Sequence, residues 1–414
     1  MARETGAAQA RSAGTRTWLL ALGMFAIGTD LFIVSGLLPD LGHDLRLSTA
    51  AAGQTVTVFA ITYAVAAPIL ASLTSKMDRR ILLFAVLLVF TAGNALSALA
   101  PAFAVLLAGR IVAGASAALF AATASAVAGR IAAPERRGHA LAIVYAGMTT
   151  AIALGVPLGN AIGALSSWRW AFGFVAIITL VAAAGLWLSL PRLPGSAAAG
   201  VRDRLGAIRI RRAPLAMLTT TLWVIGTFVV YTYLGSILDT ITHAGASDRT
   251  WLLLAFGIGS FAGVMSGGRL ADRTNAVTGL TATIALLAIV LAGLGVAVYS
   301  LPWTAATLAL WGLVHWASFP LIQHRLLALG GRDGDMLLAL NNSAVYLGQT
   351  VAAAIGGVLV GAGLLSRLPL AGAAFEVLAL LALAVGAGRR RPARQAAEPA
   401  GDGYPTSERR DVRR

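Results

Sequence analysis

At 414 residues, 58% hydrophobic and only 12% charged, with a mean hydropathy of +0.79, the chain lies outside the range of water-soluble globular domains. A net charge of +15 would suit a phosphate-rich partner, but the placement of the arginines, below, accounts for it and argues against nucleic acid. With no cysteine there is no disulfide or thiolate metal site, and the five histidines lack zinc-type spacing, so no cofactor or metal is expected.

Apolar stretches of about 20 residues recur along the chain, each long enough to cross a hydrocarbon core of about 30 Å at about 1.5 Å per residue. Twelve spans are predicted, near 17–38, 52–74, 81–99, 102–128, 139–164, 169–190, 215–238, 250–268, 276–299, 303–323, 336–362 and 367–387. The first is too long for a signal-peptide core and is expected to be retained. Residues 191–214, polar and bounded by Pro191 and Pro214, form the internal linker, which separates a six-helix bundle over 17–190 from a second over 215–387. Residues 1–16 and 388–414, rich in Arg, Ala, Pro and Glu, read as disordered tails.

Cytoplasmic flanks retain positive charge during insertion. Placing the N-terminus in the cytoplasm leaves only Arg46, Arg169, Arg249 and Arg367 outside and Arg110 within the membrane. Both termini are therefore expected to be cytoplasmic, in an all-α protein of the cell (plasma or inner) membrane.

The halves repeat. The loop Ala71 to Arg80, with Lys76, Asp78, Arg79 and Arg80, has a counterpart six helices later in Gly267 to Arg273, with Gly268, Asp272 and Arg273. Small residues also recur every four positions, at Gly147, Ala151, Gly155, Gly159 and Gly163 in the fifth span and at Gly348, Ala352 and Gly356 in the eleventh. Such stripes let helix backbones approach closely in lipid, and a matched pair six helices apart points to parallel repeats.

An ionised carboxylate in hydrocarbon is costly unless paired or hydrated, so Asp30 in the first span is a functional candidate by default. With the assigned spans, Asp30 lies about 20 Å above the cytoplasmic end of its helix and Arg110 about 12 Å below the outer end of an antiparallel one, so the two are expected to meet across a central cavity. There, proton and substrate would compete for one site. Two readings of Asp30 stay open, proton coupling and a structural partnership with Arg110. Glu376 in the twelfth span is a second intramembrane acid, read as either cavity-facing or interfacial. His315 reads as a hydrogen-bonded helix-contact histidine rather than a proton relay. Pro157 lacks an amide hydrogen, frees the carbonyl of Ala153 and predicts a kink between Gly155 and Gly159.

These residues resemble the major facilitator superfamily and, within it, the twelve-helix drug:proton antiporters of the arabinose, sugar and chloramphenicol-type exporter branch. The resemblance covers residues 17–387 and is carried by Gly28-Thr-Asp-Leu-Phe32, Gly36-Leu-Leu-Pro39, the basic loop Lys76 to Arg80, Arg110 with Gly114, Gly155-Val-Pro-Leu-Gly159, Trp168-Arg-Trp170 and Tyr231-Thr-Tyr233. It implies the major facilitator fold of two six-helix bundles, an acid at Asp30, an arginine at Arg110, and export through the antiport-associated Gly155–Gly159 element. It also implies a cavity lined by spans one, four, seven and ten or eleven, for which Phe25, Phe32, Phe120, Tyr231, Tyr233, Asn341, Asn342 and Gln349 are the candidates. In the family the loop acid helps lock the cytoplasmic gate. Here Ala71 and Ser75 depart from that pattern, Asp78 is a possible substitute, and the second copy, with Gly268, Asp272 and Arg273, is expected to carry more of the lock. Ala117-Ala118 replaces the His-Gly common in the branch, which implies a different substrate.

No phosphate-binding Gly-x-x-x-x-Gly-Lys loop and no catalytic constellation occurs, and the single lysine is Lys76. The expected protein is a non-enzymatic, monomeric, proton-coupled exporter of a small organic molecule, working by alternating access. The alternatives are efflux of a sugar, nucleoside or amino acid, and a non-transporting receptor or assembly protein on the same fold.

Overall fold

The computed structural model describes residues 2–133, 136–195, 210, 212–331 and 334–387, with side chains from residue 14 onward except those of 335 and 339. In chain order the helices are α1 (Ala2–Asp44), α2 (Thr49–Leu73), α3 (Arg79–Ala98), α4 (Phe103–Ile131), α5 (Arg137–Thr150), α6 (Val156–Leu165) and α7 (Trp168–Ser189). They continue with α8 (Ala213–Tyr231), α9 (Leu234–Thr240), α10 (Ala246–Arg273), α11 (Ala276–Ala297), α12 (Leu301–Gly330), α13 (Gly334–Gly361) and α14 (Leu368–Ala387). The pairs α5–α6 and α8–α9 are single spans with a break, so the described residues form twelve membrane-capable helices. Helix is the form in which a chain in hydrocarbon satisfies its own backbone groups.

The span count and order agree with the sequence reading, but the boundaries differ. Where a disordered tail over 1–16 was expected, α1 is helical from Ala2, a run of Ala, Arg, Glu and Gln that favours helix. It also runs through Pro39 to Asp44, six residues past the predicted end. The tail over 388–414 and residues 196–209 and 211 of the linker lie outside the described residues.

The small-residue stripes set the packing. A side chain at Gly147 would meet the Ala21 carbonyl, one at Gly155 would meet Thr29, and one at Gly159 would meet Ile33, so α5–α6 lies directly on α1. In the second half Gly348 faces Val224 and Gly356 faces Val229 and Tyr233, which sets α13 on α8. The expected kink at Pro157 is a wide turn: residues 151–155 are π-helical, with Val156 N–H bonded to the Ala151 carbonyl. A π-turn takes up the bond that the proline cannot make.

The halves meet through α2 with α13 and α6 with α10, and they close at the end opposite the chain termini. There Gly235 lies against the Ser35 and Gly36 backbone, and Tyr233 fits against Gly53 while donating to the Ala353 carbonyl at 3.0 Å. Arg249 bridges Asp40 of the first half (3.2 Å) and Asp239 of the second (3.4 Å). Nearer the middle, Tyr63 stacks on Tyr346 with centroids 3.5 Å apart. One turn closer to the termini, Asn342 on the same face of α13 is exposed, so the halves part there.

Gly147→Val should drive a side chain into the Ala21 backbone and cost about 1–3 kcal/mol, whereas Gly138→Ala, with nothing within 4 Å, should be neutral; midpoints of thermal unfolding in detergent compare the two. Arg249→Ala should loosen the closed end. With no native cysteine, thiol labelling of Ser35→Cys reports it, and an increase of about threefold is expected from a part-exposed ion pair.

Candidate functional site

Two buried polar centres and one aromatic cavity occupy the middle of the molecule. In the first half, Arg110 Nη1 donates to Asp30 Oδ1 at 2.6 Å, with both side chains almost wholly buried. The guanidinium also reaches the Asp30 carbonyl at 3.4 Å and lies 4.4 Å from the Phe59 ring centroid and 5.6 Å from that of Phe172. The pair therefore sits among α1, α2, α4 and α7, inside the first bundle. The expected meeting across a central cavity is corrected. At about 100° per residue, Asp30 and Phe32 point to nearly opposite sides of α1, and it is Phe32 that faces the other half.

Phe32 meets Phe228, Tyr231 and Trp316 at centroid distances of 6.0, 5.9 and 6.2 Å. With Ile152, Thr227, Phe256 and His315 they line a cavity of about 10 Å³, room for about one water. The lining comes from both halves: α1 and the π-turn on one side, α8, α10 and α12 on the other. His315 is held firmly. Its Nδ1 is 2.8 Å from Thr227 Oγ1, and its ring stacks on Trp223 at 4.2 Å with planes 10° apart. A larger groove of about 450 Å³ along α2 is open and apolar, lined by residues such as Ile61, Val65 and Ile69, and lies on the outer surface of the bundle.

Of the predicted cavity residues, Phe32 and Tyr231 line it. Phe120 does not: it packs on Gly23 inside the first bundle, because both lie on the Asp30 side of α1. Tyr233 belongs to the closed end, and Phe25 is half-buried beside Gly155. Asn341 and Gln349 are buried outside the lining, and Asn342 is exposed. Glu376 is neither cavity-facing nor interfacial. It is fully buried behind Gly226, between α8 and α14, and neither carboxylate oxygen has a hydrogen-bond partner among the described residues.

The gate residues also fall differently. Asp78 caps α3, accepting from the Arg80 and Ile81 amides at 2.9 and 3.2 Å. Arg79 donates to the Ser75 carbonyl and Arg80 lies over Trp187, while Lys76 is exposed. Asp272 and Arg273 are exposed at the end of α10, with no ion pair among the described residues, and Gly268 faces open space. Asp40 and Arg249 do pair between the halves, at the other end. Sequence reading also passed over Thr227, Phe228, Phe256, Trp311 and Trp316. Aromatic residues on apolar helices carry no signal of direction until the helices are packed.

A family model described as Major Facilitator Superfamily matches residues 20–331. The chain belongs to that superfamily. Inner membrane transport protein YdhP of Escherichia coli (strain K12) is 32% identical over 374 residues, covering 90% of this chain and 96% of its own. A chloramphenicol resistance protein of Streptomyces lividans is 36% identical over 263 residues, 63% of this chain and 67% of its own. Among solved structures, a D-xylose–proton symporter superposes with a TM-score of 0.70 at 16% identity, over 90% of this chain and 97% of that one. The human organic anion transporter MFSD10 gives 0.64 at 16%, over 91% and 99%. These two share the superfamily fold.

Asp30→Asn would leave the Arg110 guanidinium buried without its counter-charge, at a cost of about 3–5 kcal/mol. Thermal unfolding should show a lower midpoint, and adding Arg110→Gln should restore most of it. An Asp30→Asn protein as stable as wild type would mean that the pair contributes nothing to folding.

Proposed function

We propose that the protein exports a small, lipophilic, aromatic molecule, of the kind chloramphenicol represents, in exchange for protons, through the cavity between its two halves. The observation that carries this reading is the convergence of Phe32, Phe228, Tyr231, Phe256 and Trp316 from both halves on one point, with Thr227 and His315 as the polar groups among them. Ring faces suit an aromatic solute, and a few fixed polar atoms orient it. A sugar or amino acid would strand its hydroxyls or charges there, which weighs against efflux of such solutes. The resemblance to a chloramphenicol resistance protein supports the same class of substrate.

The cavity is far below the roughly 300–1,000 Å³ of drug-sized sites, so loading requires the halves to separate. With the termini in the cytoplasm, the end at which the halves part faces the cytoplasm and the Arg249 end faces outward. That is the conformer from which an exporter loads. One chain completes the cavity, so a monomer suffices.

In everted vesicles carrying the wild type, chloramphenicol should dissipate an imposed pH gradient, and Tyr231→Ala should raise the half-saturating concentration by about tenfold, in keeping with the ~1.4 kcal/mol of a lost aromatic contact. Binding without proton movement or flux would favour the receptor reading, and flux of sugars but not of chloramphenicol would favour the sugar exporter.

A further inference from the structure

Two buried carboxylates and one buried imidazole lie in the middle of the spans among the described residues, Asp30, Glu376 and His315, and the fold separates them by what they face. Asp30 is bonded to Arg110 inside the first bundle, and Glu376 lies behind Gly226 inside the second. His315 lines the cavity between the halves. Resting on the export reading above, we infer that His315 is the group at which proton and substrate exclude one another.

The surroundings fit that role. Nδ1 is engaged by Thr227, whose hydroxyl also receives the Trp311 Nε1 hydrogen at 3.4 Å. No described residue hydrogen-bonds Nε2, so it is the ring atom left for a solute. The neutral imidazole offers the substrate one polar contact among rings. The ring is stacked on Trp223 and set edge-to-face with Phe228 and Trp316; as an imidazolium it gains from the Trp223 face and strengthens the site for water at the expense of an apolar guest.

No other group facing His315 competes for the proton near neutral pH. The remaining titratable group of the lining is Tyr231, a phenol that stays neutral between about pH 5 and 8. On the packed elements, α8 and α11 carry no charge. α10 carries Asp248, Arg249, Arg269, Asp272 and Arg273 near its ends, α12 carries His324 and Arg325 near its terminal end, and α13 carries Asp335 in its first turn and Tyr346, stacked on Tyr63. Entry of one substrate therefore releases one proton from the imidazolium to water on the open side. After the substrate leaves on the other side, the ring takes one proton back from water there.

The test uses the full chain in detergent, with tryptophan emission reporting chloramphenicol binding between pH 5 and 8. In the wild type the apparent Kd should rise by about tenfold for each pH unit below the titration of His315 and level off above it, the signature of a single competing proton. His315→Gln should abolish this slope and Glu376→Gln should keep it. Should His315→Gln not fold, Thr227→Val, which removes the partner of Nδ1, should shift the midpoint of the curve. A slope that survives in His315→Gln, that vanishes in Glu376→Gln, or that Thr227→Val leaves in place overturns the inference. If chloramphenicol does not bind at all, the substrate reading fails, and the ligand-free emission decides His315 separately. An imidazolium stacked on Trp223 quenches it, so a pH step present in the wild type and absent from His315→Gln supports the assignment, and a wild type with no step refutes it.

Discussion

In hydrocarbon each helix satisfies its own backbone, and burial of apolar surface no longer distinguishes one helix contact from another, so the arrangement depends on where backbones can come close. In this protein that means the glycines of the fifth and eleventh spans. Gly147, Gly155 and Gly159 bring α5–α6 onto α1, and Gly348 and Gly356 bring α13 onto α8. Those contacts fix the rotation of α1 and α8 about their axes. The rotation decides that Phe32, Thr227 and Tyr231 face the other half while Asp30 and Gly226 face inward.

The same rotation separates the buried ion pair from the cavity between the halves. A carboxylate and a guanidinium at 2.6 Å, closed in by Phe59 and Phe172, hold one bundle together, and truncating either member leaves a buried charge. The cavity between the bundles is aromatic and nearly filled. In the export reading proposed above, a guest enters when the bundles move apart as bodies, and the closed end, with Gly235 on Ser35 and Arg249 between Asp40 and Asp239, opposes that motion.

Much of the architecture was legible in the chain itself. Twelve apolar runs and the paired small-residue stripes each follow from a local rule about length or spacing, and the structure has the twelve spans and both stripes in helix contacts. The encounter of Asp30 with Arg110 was legible for the same reason, since depth in a membrane can be counted along a helix at a constant rise per residue. The cavity was not. Phe120 and Phe32 look alike in sequence, both aromatic in helices expected to line a cavity, yet one packs on Gly23 inside a bundle and the other crosses to Trp316.

What the sequence determined by itself was therefore membrane class, span number and the level at which Asp30 and Arg110 meet, all properties that can be counted along one helix at a time. The tertiary structure alone decided which face of each helix looks between the halves, and so which residues share the cavity. It also showed that Asp78 is a helix cap and that the closed end is held by Arg249. Facing is a relation between helices set by close approach at particular glycines, and a hydropathy pattern that is apolar on all sides holds no record of it.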